Sequence, residues 1–478
     1  MNILCVYPEF PDTFWSFKHA LKFVNKKTAY PPLGLLTVAA MLPEAWDKRL
    51  VDLNVRALLN EDLVWADVVF ISAMTVQREA ARRVIIQCNT AGVAVVAGGP
   101  LFTMEFEEFS GVEHFILNEG ELTLPPFLAD LAKGEPHHVY RSSEFPDMAL
   151  SPPPLWSLLH LADYASMSVQ FSRGCPFNCD FCNVTALLGR KPRIKCTEQV
   201  IAELDGLYQA GWRGPVFFVD DNFIGNKRYL KQALLPAIIA WRQDKAGFSF
   251  STEVSINVAS DDELIDLLVR AGFNKVFIGI ETPGDEGLSE CGKGQNVNRD
   301  VIADTKHLQR SGLAVHGGFI VGFDSDGADI FQRQFDFIQQ SGIVFAMIGM
   351  LQAPPGTELY ARLEKEGRLL GAISGDNING GTNILPRMGL DVLEEGYTAL
   401  FDRLYSPQGY CARVKTFLSE CQAHAWKQLH ATPESKAHDE PSLSMNGQAG
   451  SGRSPNEVAM MTHTDRLEQS TRLYCPFK

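Results

Sequence analysis

The sequence predicts an α/β protein made of two successive parallel-sheet units. A Rossmann-like domain is expected over residues 1–140 and a connector over 141–164. A partial (β/α)6 TIM-type barrel follows over 165–355, then a helical C-terminal extension over 356–428 and a disordered tail over 429–478. Three observations carry this. Before residue 135, short β-branched runs alternate with runs of helical period, the pattern of βαβ units. A Pro-rich stretch at 145–154, with Ser151-Pro-Pro-Pro154, interrupts them as an extended connector does. The alternation then resumes at residue 168 and yields six strands by residue 351, enough for an open partial barrel and too few for a closed eightfold one.

In the first unit the strand candidates are 2–7, 49–55, 67–73, 94–97 and 114–117, and helical periodicity covers 33–42 and 78–91. A doubly wound sheet binds ligands beyond the carboxyl ends of its strands. Those ends fall near Pro8, Asn54, Thr75, Gly98-Gly99-Pro100 and Glu119-Gly-Glu121. In the second unit the strand candidates are 168–171, 216–219, 248–253, 276–281, 315–323 and 345–351. Helical runs at 198–210, 261–271 and 298–311 lie between them. From 431 to 468 Ser, Pro, Gly, Asn and charge dominate, a composition that does not offset the entropy of ordering.

At 478 residues the chain exceeds one ordinary core, and 45% hydrophobic with 21% charged residues marks it as globular. A formal charge of −14 argues against nonspecific nucleic-acid binding, which needs a basic face to release counterions. Arg190, Lys191, Arg193 and Lys195 are nevertheless a local basic run. No secretory leader and no apolar run of roughly 20 residues is visible. The cysteines do not form a disulfide framework, so reducing cytoplasm is the expected compartment.

The most specific signal is Phe171-Ser-Arg-Gly-Cys175-Pro-Phe-Asn-Cys179-Asp-Phe-Cys182, a C-x3-C-x2-C spacing after an apolar strand. Gly174 and Pro176 favour a tight, irregular backbone. Three thiolates from one loop hold three corners of a cubane cluster that ordinarily takes four cysteines, which leaves one iron open to a second cofactor. The alternative is a zinc knuckle with Cys196 as fourth ligand, a scaffold without catalysis. Further along, Val219-Asp-Asp-Asn-Phe223, Thr252-Glu253 and Gly279-Ile-Glu281-Thr-Pro283 each end an apolar run in carboxylates. Asp220 and Asp221 suit an ammonium or belong to a helix cap; Glu253 and Glu281 suit a ligand or a buried salt bridge.

The cysteine spacing, with an aromatic just before the last cysteine, resembles the radical S-adenosylmethionine (radical SAM) enzymes. The resemblance implies a 4Fe–4S cluster on Cys175, Cys179 and Cys182 and SAM on the open iron. It also implies reductive cleavage of SAM to a deoxyadenosyl radical, with an electron from a donor such as flavodoxin or ferredoxin. By the same resemblance Phe181 lies beside the adenine, and Asp220, Asp221 and Asn222 lie where the amino group is recognised. Glu253 and Glu281 become ligands of ribose or ammonium. Gly318 and Gly322, in Gly317-Gly-Phe-Ile-Val-Gly322-Phe-Asp324, lie on the strand that passes the adenine. Arg190, Arg193 or Lys195 is then the partner of the SAM carboxylate, or part of a solvated loop.

Further segments narrow the resemblance: Tyr30-Pro-Pro-Leu-Gly34, Ile71-Ser-Ala-Met74, Asn118-Glu-Gly-Glu121 and Thr382-Asn-Ile-Leu-Pro386. With them, residues 1 to about 420 resemble radical SAM proteins that carry an N-terminal cobalamin-binding-type domain, in particular the hopanoid 2-methylase type. That subgroup implies methylation of an unactivated carbon in a small or lipid-like natural product, with cobalamin as methyl carrier. Cyclisation, rearrangement or aminocarboxypropyl transfer without cobalamin is the other radical outcome. One departure concerns Asp52-Leu-Asn54-Val-Arg-Ala57, where many cobalamin domains carry Asp-x-His-x-x-Gly. Cobalamin then binds without a lower protein ligand, or the domain binds nothing. Tyr360, Tyr397, Tyr405 and Tyr410 either close the barrel mouth or simply pack.

Overall fold

The first unit orders its strands so that the sequence order reverses beside the first one. In this computed structural model, which describes residues 1–13, 16–376 and 381–421, β1 is Asn2–Tyr7, β2 Asp47–Asp52, β3 Val68–Ser72, β4 Ala94–Gly98, β5 His114–Ile116 and β6 Val139–Tyr140. They form one parallel sheet in the order β2-β1-β3-β4-β5-β6. Helices Leu33–Met41, Arg78–Thr90 and Gly120–Lys133 cover its faces, and the two apolar cores lie on opposite sides of it. The chain leaves β1 in both directions, so the crevice beyond Tyr7 and Ser72 is the switch point where such sheets take ligands.

Two boundaries differ from the sequence reading. β2 stops at Asp52 because the Asp52 carboxylate accepts from the Asn54 backbone N–H at 2.9 Å and turns the chain. β6 has two residues, too few to leave a period in the sequence. Residues 141–164 are more structured than an extended connector: 3-10 turns occupy Met148–Leu150, Trp156–Leu158 and Leu161–Asp163.

In the second unit β7 is Met167–Val169, and a short antiparallel ribbon pairs β8, Ser172–Arg173, with β9, Arg193–Ile194. Then come β10 Pro215–Phe218, β11 Ser249–Glu253, β12 Phe273–Glu281, β13 Ala314–Val321 and β14 Ala346–Met350. The six long strands form a second parallel sheet, β14-β13-β12-β11-β10-β7, the open partial barrel. Successive residues of a strand face opposite sides. Phe218, Phe250, Val276, Ile278, Val315 and Ile348 pack outward into one core with the surrounding helices. The residues of opposite phase, Phe217, Ser251, Lys275, Phe277, His316 and Met347, face the lumen.

Helices Leu390–Tyr405 and Pro407–Glu420 strap the β14 side. The Tyr397 and Tyr405 hydroxyls donate to the Ile348 and Ala346 carbonyls at 3.2 and 2.7 Å, so these tyrosines pack on the barrel wall rather than close its mouth. Arg413, fully buried, donates to the Val344 and Leu404 carbonyls. Cys5, Cys88 and Cys291 are buried thiols, whereas Cys411 is disulfide-bonded. Among the described residues no helix is long and apolar enough to cross a membrane. Residues 422–478, with the expected tail and Cys475, lie outside the described residues.

Candidate active site

The loop from β8 to β9 carries Cys175, Cys179 and Cys182 at the carboxyl ends of the barrel strands. It closes tightly because Gly174 adopts φ 91° and a Cβ there would sit 2.8 Å from the Gly189 carbonyl. Cys175 N–H donates to the Gly189 carbonyl at 3.2 Å, and Asp180 N–H donates to the Cys291 carbonyl at 3.0 Å. Backbone N–H groups of Phe177 and Val184 face the sulfurs of Cys175 and Cys182, and the Asn222 and Gln295 side chains face those of Cys175 and Cys179. Burial pushes all three thiols up, Cys182 to about 12. Charge on Cys175 raises Cys179 and charge on Cys179 raises Cys182. Three clustered, half-buried thiols with donors aimed at sulfur suit a cationic iron centre, which deprotonates a coordinating thiol outright. The zinc alternative is corrected: Cys196 is exposed at the start of helix Thr197–Gln209. Nor do three His, Cys, Asp or Glu side chains converge on a single-ion point among the described residues.

On the other side of this loop most polar groups hold partners, although Arg193 Nε and Glu203 Oε2 are buried without one. Asp220 accepts from Phe171 N–H at 3.1 Å, from Ser172 Oγ–H at 2.6 Å and from Ser172 N–H. Burial pushes its carboxyl up to about 7 against the pull of those donors. Asp220 therefore anchors the start of the loop and does not face a cofactor, a correction to the sequence expectation. Asn222 is held by its Oδ1, which accepts from Ser255 N–H at 3.2 Å, while its side chain still faces the Cys175 sulfur. Arg193 donates to Glu119 at 2.7 Å and to the Pro146 carbonyl at 2.8 Å. Lys195 pairs with the buried Glu203. Neither cation is open to a SAM carboxylate. Arg173 completes the network by donating to Glu119 at 2.7 Å and Glu121 at 2.9 Å.

The lumen side is different. Asp221 has only its own backbone as a hydrogen-bond partner, and burial pushes it up to about 6. Glu253, at the end of β11, is pushed up to about 8 by burial and then by Asp221. Asp221 thus lies beside the thiols and within electrostatic reach of Glu253; among the described residues neither makes an ion pair, although the Lys293 charge acts on Glu253 against the rise. Glu281 sits at φ 69° after a bulge in β12 and is paired with Lys293 at 2.7 Å, the salt-bridge outcome of its two sequence readings. Gly279 makes room for this pair, since a Cβ there would lie 2.8 Å from Lys293 Nζ. Burial works against the charge of Lys293, but Glu281 and the thiolates of Cys179 and Cys182 outweigh it and hold the ammonium above its usual range. Sequence reasoning missed Lys293 and Gln295. The available signal was the Cys291-Gly-Lys293-Gly-Gln295 turn directly after the helix Asp285–Glu290.

Phe181 is half-buried, its ring 6.3 Å from that of Phe323. Gly318 faces the lumen, where a Cβ would meet the Phe277 ring at 2.9 Å. Gly322 faces away: at φ 106° its missing Cβ points at Leu393, 3.0 Å off, so it makes the turn after β13 and does not line the lumen. At the switch point of the first sheet, Gly99 has φ 90° and a Cβ would lie 2.6 Å from Ser72 Oγ, so glycine lets the chain after β4 pack closely on the end of β3. Asp52 is sealed by the Tyr164 hydroxyl at 3.1 Å and by Asn54 Nδ2 at 2.8 Å. With Asp52 so occupied and no histidine at 52–57, this loop offers a cobalamin no lower ligand.

Comparison with known proteins agrees with this division. Residues 23–128 match the B12 binding domain, 169–338 the radical SAM superfamily and 357–443 a domain of unknown function (DUF4070). The chain is 44% identical over 418 residues to the uncharacterized methyltransferase sll1242 of Synechocystis sp., covering 86% of this chain and 78% of that protein. It is 35% identical over 376 residues to the hopanoid C-2 methylase of Rhodopseudomonas palustris, covering 77% and 71%. The chain belongs to the cobalamin-dependent radical SAM methylase family. Among solved structures the methylase fold is similar to the radical SAM methyltransferase TsrM of Kitasatospora setae, with a TM-score of 0.60 and 15% identity over 88% of this chain and 91% of that one. The cofactors are those of the family: a 4Fe–4S cluster, SAM and cobalamin.

Proposed function

We propose that this methylase transfers a methyl group to an unactivated carbon of a small or lipid-like substrate held in the barrel lumen. When bound, the cluster with SAM supplies the deoxyadenosyl radical and cobalamin supplies the methyl group. Cys175, Cys179 and Cys182 would hold three of the cluster's irons and leave one for SAM. Asp221 and Glu253 receive the SAM ammonium, because they are carboxylates near the thiols that make no ion pair among the described residues. Lys293, braced by Glu281, receives the SAM carboxylate in place of Arg193 and Lys195. Phe181 and Gly318 flank the adenine. Glu119 and Glu121, through Arg173 and Arg193, fix the cysteine loop against the cobalamin domain, and the enclosing walls exclude water from the radical. The enzyme works in reducing cytoplasm and takes its electron from a flavodoxin or ferredoxin.

The observation that carries this proposal is the cluster of three thiols with Asp221, Glu253 and Lys293 within electrostatic reach. Anoxic reconstitution tests it. We expect about four irons and four sulfides per chain, a cubane EPR signal on reduction, retained cobalamin, and label passing from methyl-labelled SAM to substrate. A colourless protein holding zinc overturns it. Cleavage of SAM without retained cobalamin removes the methyl transfer and keeps the radical step.

A further inference from the structure

At the end of the lumen far from the cysteines, two basic side chains face each other without an acid. Lys275 lies on β12 and His316 on β13. The register pairs Lys275 with Ser251 and Ala314, and His316 with Phe277, all in the lumen-facing phase. Among the described residues Lys275 makes no hydrogen bond and no ion pair, and His316 makes only a ring contact with Phe345 at 4.9 Å. Both are half-buried and keep some exposure within the sheet. Burial lowers Lys275, and burial together with the nearby Lys275 pushes His316 down to about 3. An unpaired ammonium in an interior is costly unless a partner arrives. The acids of the site do not serve: Asp221 and Glu253 lie toward the thiols, and Glu281, six residues and roughly 20 Å along β12 from Lys275, is neutralised by Lys293. Between the two ends the wall is aromatic. Phe217 and Phe277 face inward, and Tyr30 of the first unit closes on Phe217 with ring centroids 5.4 Å apart.

We propose that Lys275 and His316 form a receptor for an anionic oxygen group, carboxylate or phosphate, on an otherwise apolar substrate. The inference deepens the functional reading, since it takes the lumen to be the substrate site. The acid end docks on Lys275, His316 donates a second hydrogen bond once the anion favours its protonated form, and the aromatic wall covers the apolar body. The carbon to be methylated is then set by its distance from the acid.

The test uses reconstituted holoenzyme and three probes of one chain length: decanoate, decyl phosphate and decanol. Calorimetry should show at least one acid binding about tenfold more tightly than the alcohol, the size expected for a charge-assisted hydrogen bond. Lys275→Met should erase that preference and Lys275→Arg should restore most of it. In the unmodified protein, the preferred acid should protect Lys275 from acetic anhydride, read by peptide mass spectrometry, whereas decanol should not. That second measurement stands even if Lys275→Met misfolds. Equal binding of acid and alcohol, no binding by either acid, or no protection of Lys275 overturns the receptor. Deoxyadenosine formation is followed separately. Its loss in unmodified holoenzyme sinks the radical reading while leaving the receptor standing, and its persistence without acid preference does the reverse.

Discussion

On the flank of the cysteine loop that faces the cobalamin domain, Asp220, Arg173, Arg193 and Lys195 each hold strong partners. On the lumen flank, Asp221 and Glu253 make no ion pair among the described residues and the only cationic charge acting on Glu253 is that of Lys293, although Asp221 is the next residue in the chain after Asp220. The difference lies in strand geometry. β10 ends at Phe218, and the two aspartates that follow point to opposite sides of the chain. One points back into the loop's own N–H groups; the other points into the enclosed space. Saturated groups hold shape, and unsaturated ones wait for a ligand.

The largest expected break in this comparison is Asp220→Ala. It removes a buried carboxylate that serves three donors, at a cost of about 3–5 kcal/mol. The start of the cysteine loop loses its anchor, and iron incorporation should fall below about a tenth of the wild-type level alongside a lower Tm. Iron retained at the wild-type level would show that Asp220 is no anchor. Next comes Lys293→Met, which strands the buried Glu281 at about 3–5 kcal/mol. Adding Glu281→Gln should recover the Tm without recovering SAM affinity, because only the stability cost comes from the stranded acid. Recovery of both would remove Lys293 from the SAM site.

Asp221→Asn and Glu253→Gln sharpen the comparison from the other side. Neither side chain carries structural partners, so iron content should stay near wild type while the Kd for SAM rises about tenfold each. Equilibrium dialysis on holoenzyme checks it, and a lost cluster with unchanged Kd would reverse the two flanks.

Much of this was legible in the sequence, and the exceptions have physical causes. Alternating apolar runs gave both sheets, since parallel strands buried on two faces leave continuous signals. Three thiols within eight residues mark themselves. What the spacing did not tell was direction. The basic run at 190–195 looked open to a carboxylate, yet its partners Glu119 and Glu203 arrive from the first unit and from helix Thr197–Gln209. Gly322 lies on the expected strand but faces Leu393, because the turn after Val321 reverses the phase. Lys293 was invisible because its role depends on a bulge at Gly279/Glu281 that no period announces.

The smallest effect expected is on pH-dependent stability, and it discriminates by sign. Asp324, beyond β13, is the saturated case. Burial works to raise it, but Arg368 at 2.6 Å and Arg362 at 2.9 Å outweigh that and hold it at about 2. Between about pH 2 and 4 the unfolded chain binds more protons at this group than the folded one, so stability rises with pH there. Its contribution is fully present above the ordinary carboxylate range and is lost as pH falls toward 2. Glu253, at about 8, behaves oppositely: between about pH 4.5 and 8 the folded protein holds the extra proton, and stability falls as pH rises. In cofactor-free protein, Asp324→Asn should therefore flatten the acid limb of Tm against pH by a few degrees, and Glu253→Gln should flatten the neutral-to-alkaline limb. If both variants altered the same limb, the division between saturated and waiting acids would fail, because a carboxylate without a cation cannot gain stability on ionising.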